Sequence, residues 1–188
     1  MERRWRGTID VPLTDEGLWQ ADRLRDRIGT LDLIYHDGLS RCRDTATVLA
    51  PNAMAESDGP RPWNMGQLFE GREITPDSLH LASHYVKNRF AVPPGGEPFA
   101  VWADHWWNWL REVDAEDRTV GIVTHNRSIQ HAIAMNSGVF DYQAYDCDGP
   151  DFCTAWHHKD GRTAEWLGGE PPPGTVLLLR HGQTEWGT

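Results

Sequence analysis

The sequence predicts an α/β fold in which helices cover both faces of a mostly parallel, open sheet. Three short runs rich in β-branched and aliphatic residues, 31–37, 118–125 and 175–181, have the composition of buried strands. The first two pass through a polar turn into helical patterns over 39–50 and 126–135. Because strand followed by helix, repeated along a chain, is typical of parallel sheets with covered faces, we expect a three-layer α/β/α arrangement.

The first helix is expected within residues 12–28. Thr14 is a suitable N-cap residue, acidic residues follow it, and apolar side chains then recur close to helical spacing. The apolar positions are Leu18, Ala21, Leu24 and Ile28. This pattern predicts one amphipathic helix.

The middle of the chain contains two more helical patterns. One covers 75–86 and has a proline near its start, and the other covers 99–113 with a stripe of aromatic and aliphatic residues that is typical of a core helix. Residues 152–168 have the pattern of a hairpin around an Asp-Gly turn. The proline-rich stretch 168–174 predicts an extended linker before the last strand.

Length and composition are typical of one domain over residues 1–188. The chain has 188 residues, of which 39% are hydrophobic, and no shift in composition marks a boundary. Its net charge of −10 disfavours nucleic acid and anionic membranes as partners, because both would be repelled. A small anionic substrate stays compatible with this charge if cationic side chains are concentrated in one cleft.

Cysteine content and hydropathy bear on the compartment. The three cysteines, Cys42, Cys147 and Cys153, are an odd number without a Cys-x-x-Cys pair, so neither a disulfide framework nor a zinc knuckle is indicated. No run approaches the roughly 18 apolar residues that span a bilayer. We therefore expect a soluble, cytoplasmic protein, and the sequence leaves its oligomeric state open.

Three side chains suited to binding phosphate follow predicted elements of the sheet. His181 and His125 come directly after strands, and Arg41 opens the helix that follows another. In open α/β sheets, ligands bind beyond the carboxyl ends of the strands. Guanidinium groups match the geometry of a phosphoryl group, whose charge lies on its oxygens. The sequence therefore predicts that these three side chains converge on one small anion.

Five motifs resemble those of the histidine phosphatase superfamily, the phosphoglycerate mutase-like proteins. They are LLLRHGQTEW (177–186), RRWRGTIDVPLTDEGLWQA (3–21), LSRCRDTA (39–46), PGGE (94–97) and VTH (123–125). Members of the family normally begin with the strand that ends in Arg-His-Gly, whereas here that strand comes last. The resemblance therefore implies a circularly permuted order, in which the catalytic first strand is C-terminal. The alternative is a fragment of a rearranged gene that ends one copy of the domain and begins another.

The same resemblance implies roles for the residues that match. His181 corresponds to the nucleophile that becomes phosphohistidine. Arg180 and Arg41 correspond to the clamp on the phosphate, and His125 to a donor to one of its oxygens. The implied chemistry needs no metal and no cofactor.

Further phosphate-binding positions implied by the resemblance are Gly182, Thr184 and Asn126. The function it implies is that of a metal-independent phosphohydrolase acting on a small phosphorylated metabolite. Two alternatives stay open. One is a module that binds a phosphorylated ligand with little or no turnover, and the other is a phosphotransferase like phosphoglycerate mutase.

One departure from the family pattern concerns the proton donor. The phosphatase branch usually carries a glutamate four positions before a glycine, and Pro62 stands at that position before Gly66. Glu70 is the nearest carboxylate in this stretch, and Asp37 is a weaker candidate. Without an acid, alkoxide leaving groups lose a contribution of about 10²- to 10⁴-fold, so activated aryl phosphates and anhydrides would react better. In addition, Gly187 replaces the asparagine that usually follows the tryptophan.

Overall fold

The structure is a computed structural model that describes residues 3–56, 59–114, 117–146 and 149–186. The helices within these ranges are α1 (Asp15–Arg25), α2 (Ser40–Leu49), α3 (Pro76–Lys87), α4 (Phe99–Asp114), α5 (Asn126–Ala134) and α6 (Tyr142–Asp146). The strands are β1 (Leu33–His36), β2 (Met54–Glu56), β3 (Val120–Thr124), β4 (Ala155–Lys159), β5 (Arg162–Glu165) and β6 (Val176–Arg180). Among the described residues, no helix has both the length and the apolar character needed to cross a bilayer.

The strands form one six-stranded sheet with the order β2-β1-β3-β6-β4-β5. The strands β2, β1, β3 and β6 are parallel to one another, whereas β4 pairs antiparallel with both β6 and β5. The α/β class and the mostly parallel sheet predicted from the sequence are confirmed, and β4 and β5 form the predicted hairpin. The last strand along the chain therefore lies inside the sheet, between β3 and β4.

Helices cover both faces of the sheet, as predicted. Alternate residues of β6 point to opposite faces. Leu177 and Leu179 belong to a buried apolar cluster with residues of α1 and α2. Val176 and Leu178 belong to a second cluster, which contains most of the apolar side chains of α4 and α5. The fully buried strand β6 thus contributes to the core on both sides.

Helix α1 begins where the sequence predicts, but its buried face differs by one residue. Thr14 is the N-cap, and its hydroxyl oxygen accepts a hydrogen bond from the N–H of Gly17 at 3.1 Å. Leu18, expected in the apolar stripe, is 41% exposed, and Gly17 is buried instead. The reason is that Gly17 faces the turn after β6, where an added Cβ would lie 2.2 Å from the carbonyl oxygen of Gln183.

Two short elements have no counterpart in the sequence prediction. Strand β2 is three residues long and pairs with β1 at one edge of the sheet. Helix α6 is five residues long and packs against α5. Elements of this length contain too few residues for a periodic pattern, so their formation depends on the neighbours they contact.

The predicted linker, residues 168–174, follows β5 and lies against the end of the first helical segment. The N–H of Gly169 donates to the carbonyl oxygen of Arg27 at 3.1 Å. The carboxylate of Glu170 accepts from the N–H of Thr30 at 3.1 and 3.2 Å. These bonds hold the linker against the turn at 27–30. From there the chain re-enters the sheet as β6.

A buried histidine lies in the aromatic part of the core. His131 is only 4% exposed, and the centroids of five aromatic rings lie between 5.3 and 6.2 Å from that of its imidazole. The rings belong to Phe99, Trp102, Trp106, Trp107 and Phe140. Burial lowers the pKa of His131 to about 4, because the charged imidazolium is poorly solvated there. At neutral pH this side chain is therefore uncharged.

We expect His131 to make the protein less stable as the pH falls from about 6.5 to about 4. In the unfolded chain the imidazole takes up a proton near its ordinary pKa, whereas in the folded protein it does so only near the lower value, so protonation favours unfolding in this window. At about 1.4 kcal/mol per pKa unit, the free energy of unfolding decreases by about 3 kcal/mol. His131→Phe should flatten this pH dependence, measured by urea denaturation.

The matched control is His80→Phe, because His80 is exposed on α3. This substitution should leave the pH dependence of the free energy of unfolding unchanged. If His131→Phe keeps the full pH dependence of the unsubstituted protein, the assignment to His131 is wrong.

Candidate active site

A cavity of about 180 Å³ lies at the carboxyl ends of the parallel strands. Its described lining residues include two histidines, an apolar wall and six arginines. The arginines are Arg3, Arg4, Arg6, Arg41, Arg127 and Arg180. No aspartate or glutamate is present among the described residues that line it. The chain is acidic as a whole, so this concentration of positive charge marks the cavity as a site for an anion.

Neighbouring strands place the two histidines side by side. In the parallel pair β3 and β6, Thr124 lies opposite Arg180, so the next residues, His125 and His181, leave the sheet together. The N–H of His181 donates to the carbonyl oxygen of Thr124 at 3.2 Å. The centroids of the two imidazole rings are 5.2 Å apart, and both rings line the cavity. The structure thus brings together His181, His125 and Arg41, as the sequence predicts.

One nitrogen of His181 is held by the backbone. Its Nδ1 lies 2.7 Å from the carbonyl oxygen of Gly182. A carbonyl oxygen only accepts hydrogen bonds, so Nδ1 carries the proton and Nε2 keeps its lone pair. Burial, followed by the effects of His125, Arg41 and Arg6, holds the pKa of His181 well below its ordinary value. The imidazole is therefore neutral at physiological pH, which is the form that acts as a nucleophile.

The turn that follows His181 is fixed by two helices. The N–H of Gly182 donates to the hydroxyl oxygen of Thr45 in α2 at 3.1 Å. The N–H of Gln183 donates to the side-chain oxygen of Gln20 in α1 at 3.1 Å. At Gly182 an added Cβ would lie 2.4 Å from the carbonyl oxygen of Gly17. Because Gly17 and Gly182 both lack a side chain, α1 can approach the turn closely.

Arg41 and Arg180 are both buried, with exposed fractions of 1% and 8%. The two terminal nitrogens of Arg41 donate to the carbonyl oxygens of Ile9 and Gly7, each at 2.8 Å. One terminal nitrogen of Arg180 donates to the carbonyl oxygen of Pro150. Burial lowers the pKa of Arg180 to about 10. Backbone oxygens therefore fix the orientation of both guanidinium groups at the cavity.

Arg6, which the sequence analysis did not single out, lies beside these two arginines. It donates to the hydroxyl oxygen of Thr184 at 2.5 Å. Burial, followed by the charges of Arg41 and Arg180, lowers the pKa of Arg6 to about 9. We call Arg6, Arg41 and Arg180 the arginine cluster. The family pattern includes an arginine shortly before a glycine, which corresponds to Gly7 here. Arg3, Arg4 and Arg6 all precede Gly7, so the pattern alone does not single out Arg6.

A carboxylate lies behind His125. The Nε2–H of His125 donates to Oδ2 of Asp37 at 2.6 Å, and Oδ1 of Asp37 accepts from the N–H of Leu39 at 3.1 Å. Burial favours a higher pKa for Asp37, but the imidazole of His125 and the Leu39 N–H outweigh it and hold that pKa below its ordinary value. Asp37 is therefore ionised and fixes the orientation of the His125 ring.

Asp37 and His125 form a buried trio with Cys42, in which the potential metal-ligating atoms lie within 4.8 Å of one another. Sγ of Cys42 is 3.6 Å from Nε2 of His125. Two ligand atoms on a tetrahedral zinc, with bonds of about 2.0 to 2.1 Å, lie about 3.3 Å apart. The 2.6 Å between Asp37 and His125 is shorter and matches a hydrogen bond. Burial also raises the pKa of the Cys42 thiol well above its ordinary value, so the trio is arranged as a hydrogen-bonded network.

The remaining positions expected to bind phosphate differ in location. Asn126, the first residue of α5, lines the cavity. Gly182 and Thr184 are not among the described lining residues: the N–H of Gly182 is bonded to α2, and the fully buried Thr184 holds a guanidinium group of the arginine cluster. Gly187 lies outside the described residues. A direct contact of Gly182 or Thr184 with phosphate stays a prediction.

Glu70, the first candidate for the proton donor, braces two loops. Its carboxylate accepts from the N–H and the hydroxyl of Thr8 at 3.1 and 2.7 Å, and from the N–H of Met65 at 3.1 Å. It is not among the described lining residues, whereas Pro62, at the position where the family carries its acid, does line the cavity. The second candidate, Asp37, is bonded to His125.

Comparisons with known proteins give a family and a fold. The family model for the histidine phosphatase superfamily (branch 1) matches residues 1–162. No curated protein matches the chain. Among solved structures, a putative alpha-ribazole-5'-P phosphatase from Escherichia coli is similar with a TM-score of 0.66 and 18% identity, covering 88% of each chain.

Two further solved structures are similar. The alpha-ribazole phosphatase from Shigella flexneri has a TM-score of 0.67 and 18% identity, covering 87% of this chain and 86% of that one. A phosphoglycerate mutase from Thermus thermophilus has a TM-score of 0.58 and 23% identity, covering 72% of this chain and 75% of that one. At such identities these likenesses establish the fold alone.

We expect Asp37→Asn to lower the pKa of His125. The negative charge of Asp37 raises that pKa against the larger effect of burial, which lowers it, so removing the charge leaves the effect of burial unopposed. Asparagine keeps an oxygen for the N–H of Leu39, so the loop should be preserved. The measurement is an NMR titration of the imidazole signals, in which the midpoint of the His125 titration should move to a lower pH.

Asp44→Asn serves as the control, because Asp44 lies seven residues further along the chain, in α2, and pairs with Arg43 at the surface. It should not change the titration of His125. An unaltered His125 titration in Asp37→Asn would show that the two side chains are not electrostatically coupled.

Proposed function

The chain belongs to the histidine phosphatase superfamily, and on that basis we propose that it is a phosphohydrolase that acts on a small phosphorylated metabolite through a phosphohistidine on His181. One observation carries the proposal: a neutral imidazole, held through Nδ1 by a carbonyl oxygen, lines the same cavity as the arginine cluster. A nucleophile and fixed positive charges for the group it attacks are thereby combined in one site.

In the first half of the proposed reaction, Nε2 of His181 attacks the phosphorus atom. An N–P bond forms while the P–O bond to the leaving group breaks, and the leaving oxygen takes the bonding electron pair. In the second half, water attacks the phosphorus and the N–P bond breaks. Inorganic phosphate departs, Nε2 regains its lone pair, and the surplus proton of the water passes to solvent.

The arginine cluster would hold the phosphate during both steps. A phosphoryl group in transfer carries its charge on three equatorial oxygens, and fixed guanidinium groups stabilise that charge without reorganising. Hydrogen bonds to charged groups contribute about 1.5 to 3 kcal/mol each, so replacing one arginine should lower activity about 10- to 100-fold. Backbone carbonyls already orient Arg41 and Arg180, which favours this role.

In this proposal, His125 can donate a hydrogen bond to the phosphate only when both of its ring nitrogens carry a proton. Its Nε2–H is used by Asp37, so a second hydrogen bond to an anion requires a proton on Nδ1. A phosphate dianion in the cavity raises the pKa of His125, and the ionised Asp37 already favours the charged form. Substrate binding and protonation of His125 are therefore coupled in this proposal.

Two other functions are kept as alternatives. A binding module without turnover is favoured by one observation, that no carboxylate is among the described residues lining the cavity. The second alternative is a phosphotransferase, because one of the similar structures is of a phosphoglycerate mutase. At 23% identity, that similarity supports a shared fold only. We also propose a small substrate rather than a nucleic acid or a membrane, because the net charge is −10.

We further propose that the order of the elements is circularly permuted relative to the family. Three observations support this. The family model matches residues 1–162 and ends before β6, and the proposed nucleophile His181 directly follows that strand. β6 nevertheless lies between β3 and β4 inside the sheet. The segment 168–174, which would join the ancestral ends, is held on the turn at 27–30.

We expect the protein to hydrolyse p-nitrophenyl phosphate without added metal, and His181→Ala to abolish this turnover. A phosphorylated protein should also accumulate on brief incubation, and the bond should be labile in acid, as phosphohistidine is. Release of nitrophenolate measures turnover. Labelling from a phosphate ester that carries radioactive phosphorus, quenched with alkaline detergent and then exposed to acid, measures the phosphorylated protein and the acid lability of its bond. His80→Ala, an exposed histidine on α3, is the control and should leave both unchanged.

Two outcomes contradict this function. Turnover that persists in His181→Ala would assign the chemistry to another residue. Binding of vanadate or phosphate, measured by calorimetry, without any turnover would favour the binding module instead.

The permutation predicts that the ancestral order still folds. A chain with residues 175–188 first, followed by a short Gly-Ser spacer and residues 1–167, should unfold cooperatively and retain activity. The control chain lacks residues 175–188 and should lose its cooperative transition, because β3 and β4 lose their shared partner. Circular dichroism during urea denaturation measures both. A rearranged chain that fails to fold would contradict the proposed permutation.

A further inference from the structure

The cavity holds more positive charge than one phosphate group needs. The three arginines of the arginine cluster line the cavity together with His181, and Arg41 and Arg6 contribute, after burial and His125, to lowering the pKa of that histidine. Arg3, Arg4 and Arg127 line the same cavity in addition. Arg3 is close enough to Arg180 for its charge to contribute to lowering the pKa of Arg180, after the larger effect of burial. The positive region therefore extends beyond the phosphate site proposed above.

Two of these additional arginines carry no compensating carboxylate. Neither Arg3 nor Arg127 forms an ion pair with any residue in the described part of the chain. Arg127 donates to the side-chain oxygen of Gln130 at 3.0 Å and lies 5.0 Å from the centre of the Tyr145 ring. Its guanidinium group is thus positioned by neutral partners, which leaves its charge to attract a second anionic group.

The cavity wall also bears on the leaving group. Pro62 lines the wall, and no described lining residue is a carboxylic acid. An alkoxide that leaves without a proton is unfavourable, because general acid catalysis ordinarily contributes about 10²- to 10⁴-fold. A phosphate group leaves readily as an anion and can be stabilised by guanidinium groups alone. The arginines beyond the cluster are suited to that task.

We propose that the substrate is a phosphoric anhydride, in which a terminal phosphate is linked to a second phosphate that Arg3 and Arg127 bind. This inference rests on the phosphohydrolase function proposed above. The volume of about 180 Å³ lies below the range of about 300 to 1,000 Å³ that is typical of sites enclosing larger ligands. The diphosphate end therefore occupies the cavity, and the remainder of the substrate extends out of it.

The step balances without a proton donor. Nε2 of His181 bonds to the terminal phosphorus as the bond from that phosphorus to the bridging oxygen breaks. The bridging oxygen keeps the electron pair and becomes a terminal oxygen of the departing monophosphate, whose added negative charge faces Arg3 and Arg127. Water then cleaves the phosphohistidine as before, so the products are one monophosphate and one inorganic phosphate.

The test compares ethyl diphosphate with ethyl phosphate as substrates, with release of inorganic phosphate as the measurement. We expect kcat/KM to be at least about 100-fold higher for the diphosphate, because only ethyl phosphate needs a protonated leaving oxygen. The double substitution Arg3→Gln and Arg127→Gln should lower kcat/KM for ethyl diphosphate at least about tenfold more than for p-nitrophenyl phosphate. Arg111→Gln, on the exposed side of α4, is the control and should change neither.

The outcomes separate this inference from the function on which it rests. If His181-dependent turnover is present but the two ethyl compounds react equally, or the double substitution affects all substrates equally, the anhydride assignment is wrong and the phosphohydrolase stands. If nothing is hydrolysed, the phosphohydrolase proposal fails.

If no substrate is hydrolysed, calorimetry with the non-hydrolysable methylenediphosphonate still tests whether the cavity has a second anion site. Binding at least about tenfold tighter than that of phosphate, and lost in the double substitution, would support it. Equal affinities would overturn it.

Discussion

The site depends on one constraint: several positive charges are buried around an imidazole that has to stay neutral. Arg6 and Arg180 have pKa values lowered to about 9 and about 10, and burial is the largest cause in both. Removing charged groups from water is unfavourable unless a partner compensates them. Burial, followed by His125, Arg41 and Arg6, also holds the pKa of His181 well below its ordinary value, so burial contributes both to the unfavourable electrostatics of the arginines and to the neutral state of the imidazole. An anion in the cavity relieves the repulsion.

The sheet is what maintains this arrangement. The register of β3 and β6 fixes where His125 and His181 leave the sheet, and the backbone bond from His181 to Thr124 extends that register by one residue. The turn after β6 is also held by α1, because Gly17 and Gly182 have no side chains and let the backbone of α1 contact the backbone of that turn directly. His181, the proposed nucleophile, is thus positioned by main-chain contacts, which vary little, rather than by flexible side chains.

Much of this could be predicted from the sequence, because it depends on order and periodicity. Strand–helix repeats predict the parallel sheet, and the residues at strand ends predict that His125 and His181 meet. The contacts of Asp37 with His125 and of Arg6 with Thr184 could not be predicted in this way. Each joins residues far apart along the chain, and each depends on loop conformations that no repeating pattern encodes. The same holds for Glu70, whose carboxylate is used by two loops.

The pairing of Asp37 with His125 also bears on the kind of leaving group that suits the site. A carboxylate that is held ionised by an imidazole is a poor proton donor, because donating would first require it to take up a proton against that interaction. In the proposed reaction, the pair would supply a positive charge on His125 once an anion is bound. In the proposed reaction, His125 and the arginines would stabilise negative charge, and no carboxylic acid is among the described residues that line the cavity. A site built in this way lowers the barrier most for groups that depart as stable anions, and phosphate is such a group whereas an alkoxide is not.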